Sequence, residues 1–468
     1  MSIRHFVILG FFCGVVYFFS PGTFCILLIV ALIVAKINRK LDPETKFLIN
    51  LFLSAFILRL FLLLVFSTLL VAKGKILSYP GYPGWAPNFI GDSAYYTLRG
   101  YWMALDWRGL SLSSEILGEA YNSGYGWHGY TYLIGGFHYF FGFSPMSSVI
   151  LNCIFGALIP VLCYFIARLC FTEAICKIFA VITAFLPSLV IWSVANLKDI
   201  PLILTTLFIL WSFMMFIKSR RIPRNILFLL LMAVGLLAQS TLRAYIMPLT
   251  VTSMLIAYFA ISKYPSVYIK IFMVIIAVFL SVALFKITPA RLDHAFRQRI
   301  FPLLTIHQAA VIEGTNYRIL EDKYYLINPD FQSGKAPDEY YYLYPATTLT
   351  YRQYLTVYIK GVFHFMFEPF LQKTGSITRA LSYPQMILWY ILTPFAVLGL
   401  AIVMRYRWRE YLVLFSYFVI VVSASALTQA NIGTVFRFRD MITPVFLFWA
   451  SIGLVKIAGG RLLKEREV

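Results

Sequence analysis

Two aspartates stand where a carboxylate could do chemistry. Asp92 lies in Gly91-Asp92-Ser93-Ala94-Tyr95-Tyr96 and Asp199 in Leu197-Lys198-Asp199-Ile200-Pro201. Either could simply cap a helix: Asp before Ser-Ala-Tyr satisfies free backbone donors, and Pro201 just inside the next helix supports the same reading for Asp199. As a chemical group, a carboxylate lifted toward neutral pH by desolvation is a general base for an acceptor hydroxyl. Two such acids on one face could also share a divalent metal ion, or divide base and positioning roles. Asp92 and Asp199 are therefore candidate catalytic residues and candidate metal ligands, with a divalent metal ion as the possible cofactor.

Cations supply the complementary chemistry. Arg59 sits in the middle of an apolar run, where a charge costs about 2.5–3.5 kcal/mol on insertion scales and must find a partner or a wet cavity. Arg243 ends one apolar run, while Arg437 and Arg439 precede another in Phe436-Arg437-Phe438-Arg439-Asp440. These three either snorkel to the interface or cradle a phosphate at head-group level. Lys198 neighbours Asp199 and joins them as a candidate substrate contact. Lys360, His364 and Glu368 are spaced i, i+4, i+8 on one helix face, either a solvated stripe or the polar wall of a site. His128, in Trp127-His128-Gly129-Tyr130, is a further candidate contact. The tyrosines Tyr324, Tyr325, Tyr340, Tyr341, Tyr342 and Tyr344 suit an interfacial belt or a sugar-stacking platform.

The elements that must position these groups are membrane helices. Of 468 residues, 60% are hydrophobic and 13% charged, with mean hydropathy +0.78. Soluble chains are nearer half apolar and a quarter charged, so this composition excludes an ordinary soluble fold. Much of the excess of 40 Lys+Arg over 20 Asp+Glu lies in short loops, as the positive-inside rule expects, rather than marking a nucleic-acid surface. The six cysteines fall in or at the ends of apolar runs without ligand spacing, and predict neither disulfides nor a zinc site. Arg4 followed by the run from Phe6 to Phe19 reads as a retained signal anchor.

Runs near the roughly 20 residues a spanning helix needs cover about 47–71, 145–168, 175–196, 199–217, 225–243, 245–262, 268–285, 385–404, 410–428 and 440–457. The stretch 6–35, interrupted at Pro21-Gly22, adds one kinked span or a hairpin, for eleven to twelve in all. The basic segments 36–46, 218–224, 405–409 and the tail then fall on one side, which must be cytoplasmic. Two long segments, 72–144 and 286–384, are left outside with Asp92 and Asp199, and long connections are usually functional. Tyr95, Leu98, Trp102 and Leu105 form an amphipathic stripe that ends near Gly109, and segment 355–371 is expected as an interfacial or re-entrant helix.

The order of these features resembles the C-type polytopic glycosyltransferases, in particular the bacterial group related to protein O-mannosyltransferases and aminoarabinose transferases. The pieces that carry the resemblance are an Arg-bearing span (Arg59), then Gly91-Asp92-Ser93-Ala94-Tyr95-Tyr96, a Gly-Tyr-rich stretch from Trp127 to Gly142, and the Asn152-bearing span that ends in Tyr164-Phe165-Ile166-Ala167-Arg168. Pro187-Ser188-Leu189, Trp192-Ser193, Leu197-Lys198-Asp199, and Arg437-Phe438-Arg439 before Thr443-Pro444 follow. The resemblance implies a transferase that takes a sugar from a polyprenyl-phosphate donor at the outer face. Asp92 would be its catalytic base, and Asp199 would help hold a metal or the acceptor. The chain departs from the pattern at Ser93, where a second acid is common, and at Trp127-His128-Gly129, where a His-Pro-Pro type element is absent.

The expectation is an all-α polytopic bundle. It comprises a membrane anchor or hairpin (1–46), a glycosyltransferase-like core with its outer loop (47–285), a second outer loop with an interfacial helix (286–384), and C-terminal spans with a cytoplasmic tail (385–468). The expected partners are a lipid-linked sugar donor, a glycan, lipid or protein acceptor, and the membrane, with no nucleic acid. The expected setting is a cell membrane, the bacterial inner membrane in particular, with the site facing out. The competing functions are a polysaccharide polymerase or ligase that uses pyrophosphate-linked lipids, and a flippase or transporter of a lipid-linked sugar, although no internal repeat of the transporter kind is present.

Overall fold

The computed structural model describes residues 22–23, 25–30, 42–72, 92–121, 129–143, 145–219, 221–261, 351–370, 382–429 and 432–463. Among these the chain is helical, apart from one isolated bridge between Phe171 and Leu463. The helices are α1 (Pro43–Ala72), α2 (Asp92–Trp107), α3 (Ser114–Tyr121), α4 (Gly129–Phe141), α5 (Pro145–Arg168), α6 (Glu173–Ala184), α7 (Pro187–Ser193), α8 (Asp199–Lys218), α9 (Ile222–Leu242), α10 (Ile246–Ile261), α11 (Tyr351–Phe367), α12 (Tyr383–Tyr406), α13 (Trp408–Thr428), α14 (Ile432–Arg439) and α15 (Thr443–Ile457).

The protein is an all-α, multi-pass membrane protein. Among the described residues six helices, α1, α5, α8, α9, α12 and α13, are long and apolar enough to cross a bilayer, and the count rises to 8 if each of two bent pairs is one span. The pairs α6–α7 and α14–α15 bend by 52° and 59°. The expected span 268–285, most of 6–35 and most of the second outer loop, with its tyrosines, lie outside the described residues.

The described residues divide into two compact units, one within Met1–Pro248, Pro394–Ile402 and Leu447–Val468, the other within Leu249–Thr393 and Val403–Phe446. In the first unit α5 lies against α1, α6, α7 and α8, and α9 covers α8. The run expected as a continuous span over 175–196 is broken after Ala184. Pro187 opens α7 because its fixed φ and missing N–H suit a first turn and not a helix interior.

Such a break leaves main-chain groups unsatisfied in an apolar setting, where each costs several kcal/mol. Arg59 supplies the partners. Its Nη1 donates to the carbonyls of Ala184 (3.1 Å) and Ala55 (2.9 Å), and its Nε donates to Ser193 Oγ at 3.1 Å. Gly156 leaves room for this arrangement, since a Cβ there would collide with Ser193 Oγ.

The two ends of this unit differ chemically. At one end Arg168 pairs with Glu44 (3.1 Å), and Lys218 Nζ donates to the Leu169 carbonyl (2.9 Å). The Thr172 N–H donates to the Leu462 carbonyl at the same end (3.1 Å). This end therefore gathers the start of α1, the ends of α5 and α8, and the basic tail. The opposite end carries the starts of α2, α4, α5 and α8. With twenty residues and a rise of about 1.5 Å each, α8 runs roughly 30 Å from one end to the other, the thickness of a hydrocarbon core.

The amphipathic helix expected over 93–105 is present as α2, and it terminates at Gly109, whose φ is +76°. The face that the protein covers is not the apolar stripe. Of Tyr95, Leu98, Trp102 and Leu105 only Leu98 is buried, while Ser93, Tyr96, Thr97, Gly100, Met103 and Ala104 face inward. The reason is that α2 lies on protein, against α4 and the turn before α8, so its small and polar face is the covered one.

In the second unit α11 lies along α13, joined by a 2.9 Å hydrogen bond between Tyr358 and Ser423 hydroxyls. Its 17 residues are not among those apolar and long enough to cross a membrane.

Candidate active site

Asp199 opens α8 at the polar end of the first unit and is only 2% exposed. It is the first helical residue rather than the cap; Lys198 holds that position and makes no side-chain capping bond. A negative charge in a first turn is favoured by the free N–H groups and the helix dipole. The carboxylate also has a cationic partner: Arg243 Nη2 lies 2.9 Å from Asp199 Oδ1. Arg243 follows α9 directly, and α9 is fixed to α8 by Gln239 Nε2 donating to Thr206 Oγ1 at 2.7 Å. The pair therefore joins two spans at their polar ends.

The turn that delivers Asp199 is clamped from two sides. From α5, Asn152 Nδ2 donates to the carbonyls of Ala195 (2.7 Å) and Leu197 (3.1 Å). From α2, Ser93 Oγ accepts the Asn196 N–H at 2.9 Å. Asn196 Nδ2 donates in turn to Thr97 Oγ1 (2.8 Å) and Ser148 Oγ (2.9 Å). Asp92 is the residue before Ser93 in α2; its side chain falls outside the described residues.

Aromatic side chains complete the pocket. Lys198 Nζ sits 5.6 Å from the centroid of the Tyr96 ring, and Tyr96 meets Tyr130 edge to face at 5.6 Å. Tyr130 is buried at the start of α4, where a Cβ on Gly129 would collide with Thr241 Oγ1. That close approach brings α4 beside the end of α9, two residues before Arg243. Burial raises the Tyr130 phenol well above its ordinary pKa, and the proximity of Tyr96, Asp199 and Cys153 adds to the shift.

The expected site residues thus fall into separate places. Asp199 pairs with Arg243, Lys198 immediately precedes Asp199, and Asp92 immediately precedes Ser93, which holds the turn before them. Arg59 lies at the break between α6 and α7, bound to its main chain and close to Cys153. His128 lies outside the described residues, next to Gly129.

His364, Glu368, Arg437 and Arg439 belong to the second unit. There His364 Nδ1 is 3.4 Å from Glu368 Oε1, and Glu368 Oε2 accepts the Phe370 N–H at 3.0 Å. Arg439 is fully buried and donates to the carbonyls of Phe365 (2.8 Å) and Glu368, so its guanidinium holds the end of α11 to α14. Arg437 is partly exposed on the same short helix, as is His364 on α11, while Lys360 is exposed.

Asp199 does not sit in a ready-made cation shell, because a guanidinium already stands against its carboxylate, and a divalent ion there would face that positive charge. Among the described residues there is no group of three His, Cys, Asp or Glu side chains placed to hold a metal. Sequence reasoning assigned no role to Ser93, Tyr96, Thr97, Tyr130, Asn152 or Asn196. Two were legible in part: Asn152 is a polar residue inside an apolar run, and Tyr130 follows the Trp127-His128-Gly129 element.

A comparison with curated proteins returns no match. Residues 129–285, which include Tyr130, Asn152, Asn196, Lys198, Asp199 and Arg243, match the family model for dolichyl-phosphate-mannose-protein mannosyltransferase, and this match supports a polytopic membrane glycosyltransferase of the protein-mannosyltransferase kind.

Proposed function

We propose that the chain moves a sugar from a polyprenyl-phosphate donor to an acceptor hydroxyl at the outer face of a cell membrane, with inversion at the anomeric carbon. The observation that carries this reading is the buried Asp199–Arg243 pair beside the start of α2, at the end of the first unit opposite its basic clusters. The positive-inside rule makes the basic end cytoplasmic and the pocket external. The family match supports a lipid-phosphate sugar as donor, with a hexose of the mannose type as the first sugar to test.

In this reading Asp92 accepts the proton of the acceptor hydroxyl as its oxygen attacks the anomeric carbon. The new carbon–oxygen bond forms as the bond to the phosphate oxygen breaks, and the electron pair leaves on the polyprenyl phosphate. Arg243 and Lys198 face that developing charge, where preorganised donors act most strongly. Asp199 positions Arg243. Arg59 supports the floor of the pocket through Ser193, and His128 is a further contact. His364, Glu368, Arg437 and Arg439 are substrate-binding proposals for the second unit, each tested by its own alanine variant.

The test is purified protein in nanodiscs given polyprenyl-phosphate mannose and candidate glycan, lipid or peptide acceptors. A hexose mass gain on an acceptor, release of polyprenyl phosphate and an inverted anomer by NMR are expected. Movement of the lipid-linked sugar across the bilayer without bond cleavage would instead make the chain a flippase. Turnover only with pyrophosphate-linked lipids would make it a polymerase or ligase.

A further inference from the structure

Tyr130 is only 3% exposed, and its hydroxyl makes no hydrogen bond among the described residues. A phenol usually finds a partner when buried, and a buried donor left unmade costs about 1–3 kcal/mol. Such a group calls for a partner from outside the protein, a ligand or a water. Its surroundings say what that ligand would carry. Tyr130 stands edge-on to Tyr96, over whose ring Lys198 lies, and Gly129 brings the start of α4 against Thr241, just ahead of Arg243. The hydroxyl is thus placed among the elements that bear two cations. The phenol stays protonated here and so acts as a donor; Asp199 nearby favours the same state.

We propose that the Tyr130 hydroxyl contacts the substrate, donating a hydrogen bond to a phosphate oxygen of the lipid-linked donor; this rests on the glycosyltransferase reading above. Arg243 and Lys198 supply positive charge and N–H donors to the phosphate. The phenol adds direction, because a single O–H defines where one oxygen must sit.

The test compares wild type with Tyr130→Phe in nanodiscs, titrated with a polyprenyl phosphate and with the corresponding uncharged polyprenol. Tyr130→Phe should weaken polyprenyl-phosphate binding on the order of 10–100-fold, as expected for losing a hydrogen bond to a charged group, and leave polyprenol binding unchanged. Thermal unfolding of the ligand-free protein should not fall, since no hydrogen bond is lost. Equal phosphate affinity in both proteins would overturn the assignment and leave the glycosyltransferase reading standing. A fall in ligand-free stability with unchanged phosphate affinity would assign the hydroxyl to a buried water and also overturn it. Wild type that binds no polyprenyl phosphate would remove both readings.

Discussion

Arg243 Nη2 stands 2.9 Å from Asp199 Oδ1, with the two side chains 9% and 2% exposed. This contact ties the end of α9 to the start of α8 and fixes a guanidinium at the polar end of the bundle. Removing one member of a buried pair leaves the other charge uncompensated, at a cost of about 3–5 kcal/mol. Asp199→Asn and Arg243→Gln should each lower the unfolding temperature in detergent. The double variant should lose clearly less than the two single losses added together. Strictly additive losses would mean that the pair is not a coupled unit.

Asp92→Asn separates chemistry from binding. The amide retains size and helix-capping ability but cannot accept a proton, so transfer should slow by about 10²–10⁴-fold. Donor binding should persist, since the phosphate contacts are assigned to Arg243, Lys198 and Tyr130. Full transfer activity in this variant would leave Asp92 as a helix cap only.

The clamp on the turn before Asp199 should control activity through position. Asn196→Ala removes donors to Thr97 and Ser148, which should cost about 1–3 kcal/mol for the buried groups left unmade. Transfer should fall further than stability alone explains, because the turn also delivers Lys198 and Asp199. Kinetics measured well below the melting temperature decide the point, and an unchanged turnover number there would argue against it.

His138 in α4 reports on acid sensitivity of the outer layer. Burial lowers its pKa from 6.5 to about 4, and the neighbouring Arg108 adds to that effect while a hydrogen bond to the Gly142 backbone opposes it. The folded state thus favours the neutral ring, and the unfolded chain binds a proton first as pH falls. Its contribution is present above about pH 6.5 and is lost progressively down to about pH 4, at most about 3 kcal/mol. His138→Phe, which keeps an aromatic ring against Phe143, should flatten the stability profile across that window. A profile as steep as wild type would place the titration elsewhere.

The membrane character of this chain follows from its sequence because hydrocarbon imposes a local rule. Runs such as 47–71 and 199–217 must be helical since no water is available to satisfy their backbone. The basic clusters order those helices by side. Asp92 and Asp199 stood out by residue type and by falling on the same expected face of the membrane. What the sequence did not carry was partnership. Nothing local says that Asp199 meets Arg243, forty-four positions later, or that Asn152 and Asn196 clamp the turn between α7 and α8. The charge of Arg59 inside an apolar run promised a partner without naming it, and the partner is the main chain of a broken helix. The covered face of α2 was not legible for the same reason. Periodicity shows which side of a helix is apolar, but only packing shows which side is covered. Those outcomes depend on contacts between distant segments, and the tertiary structure alone decided them.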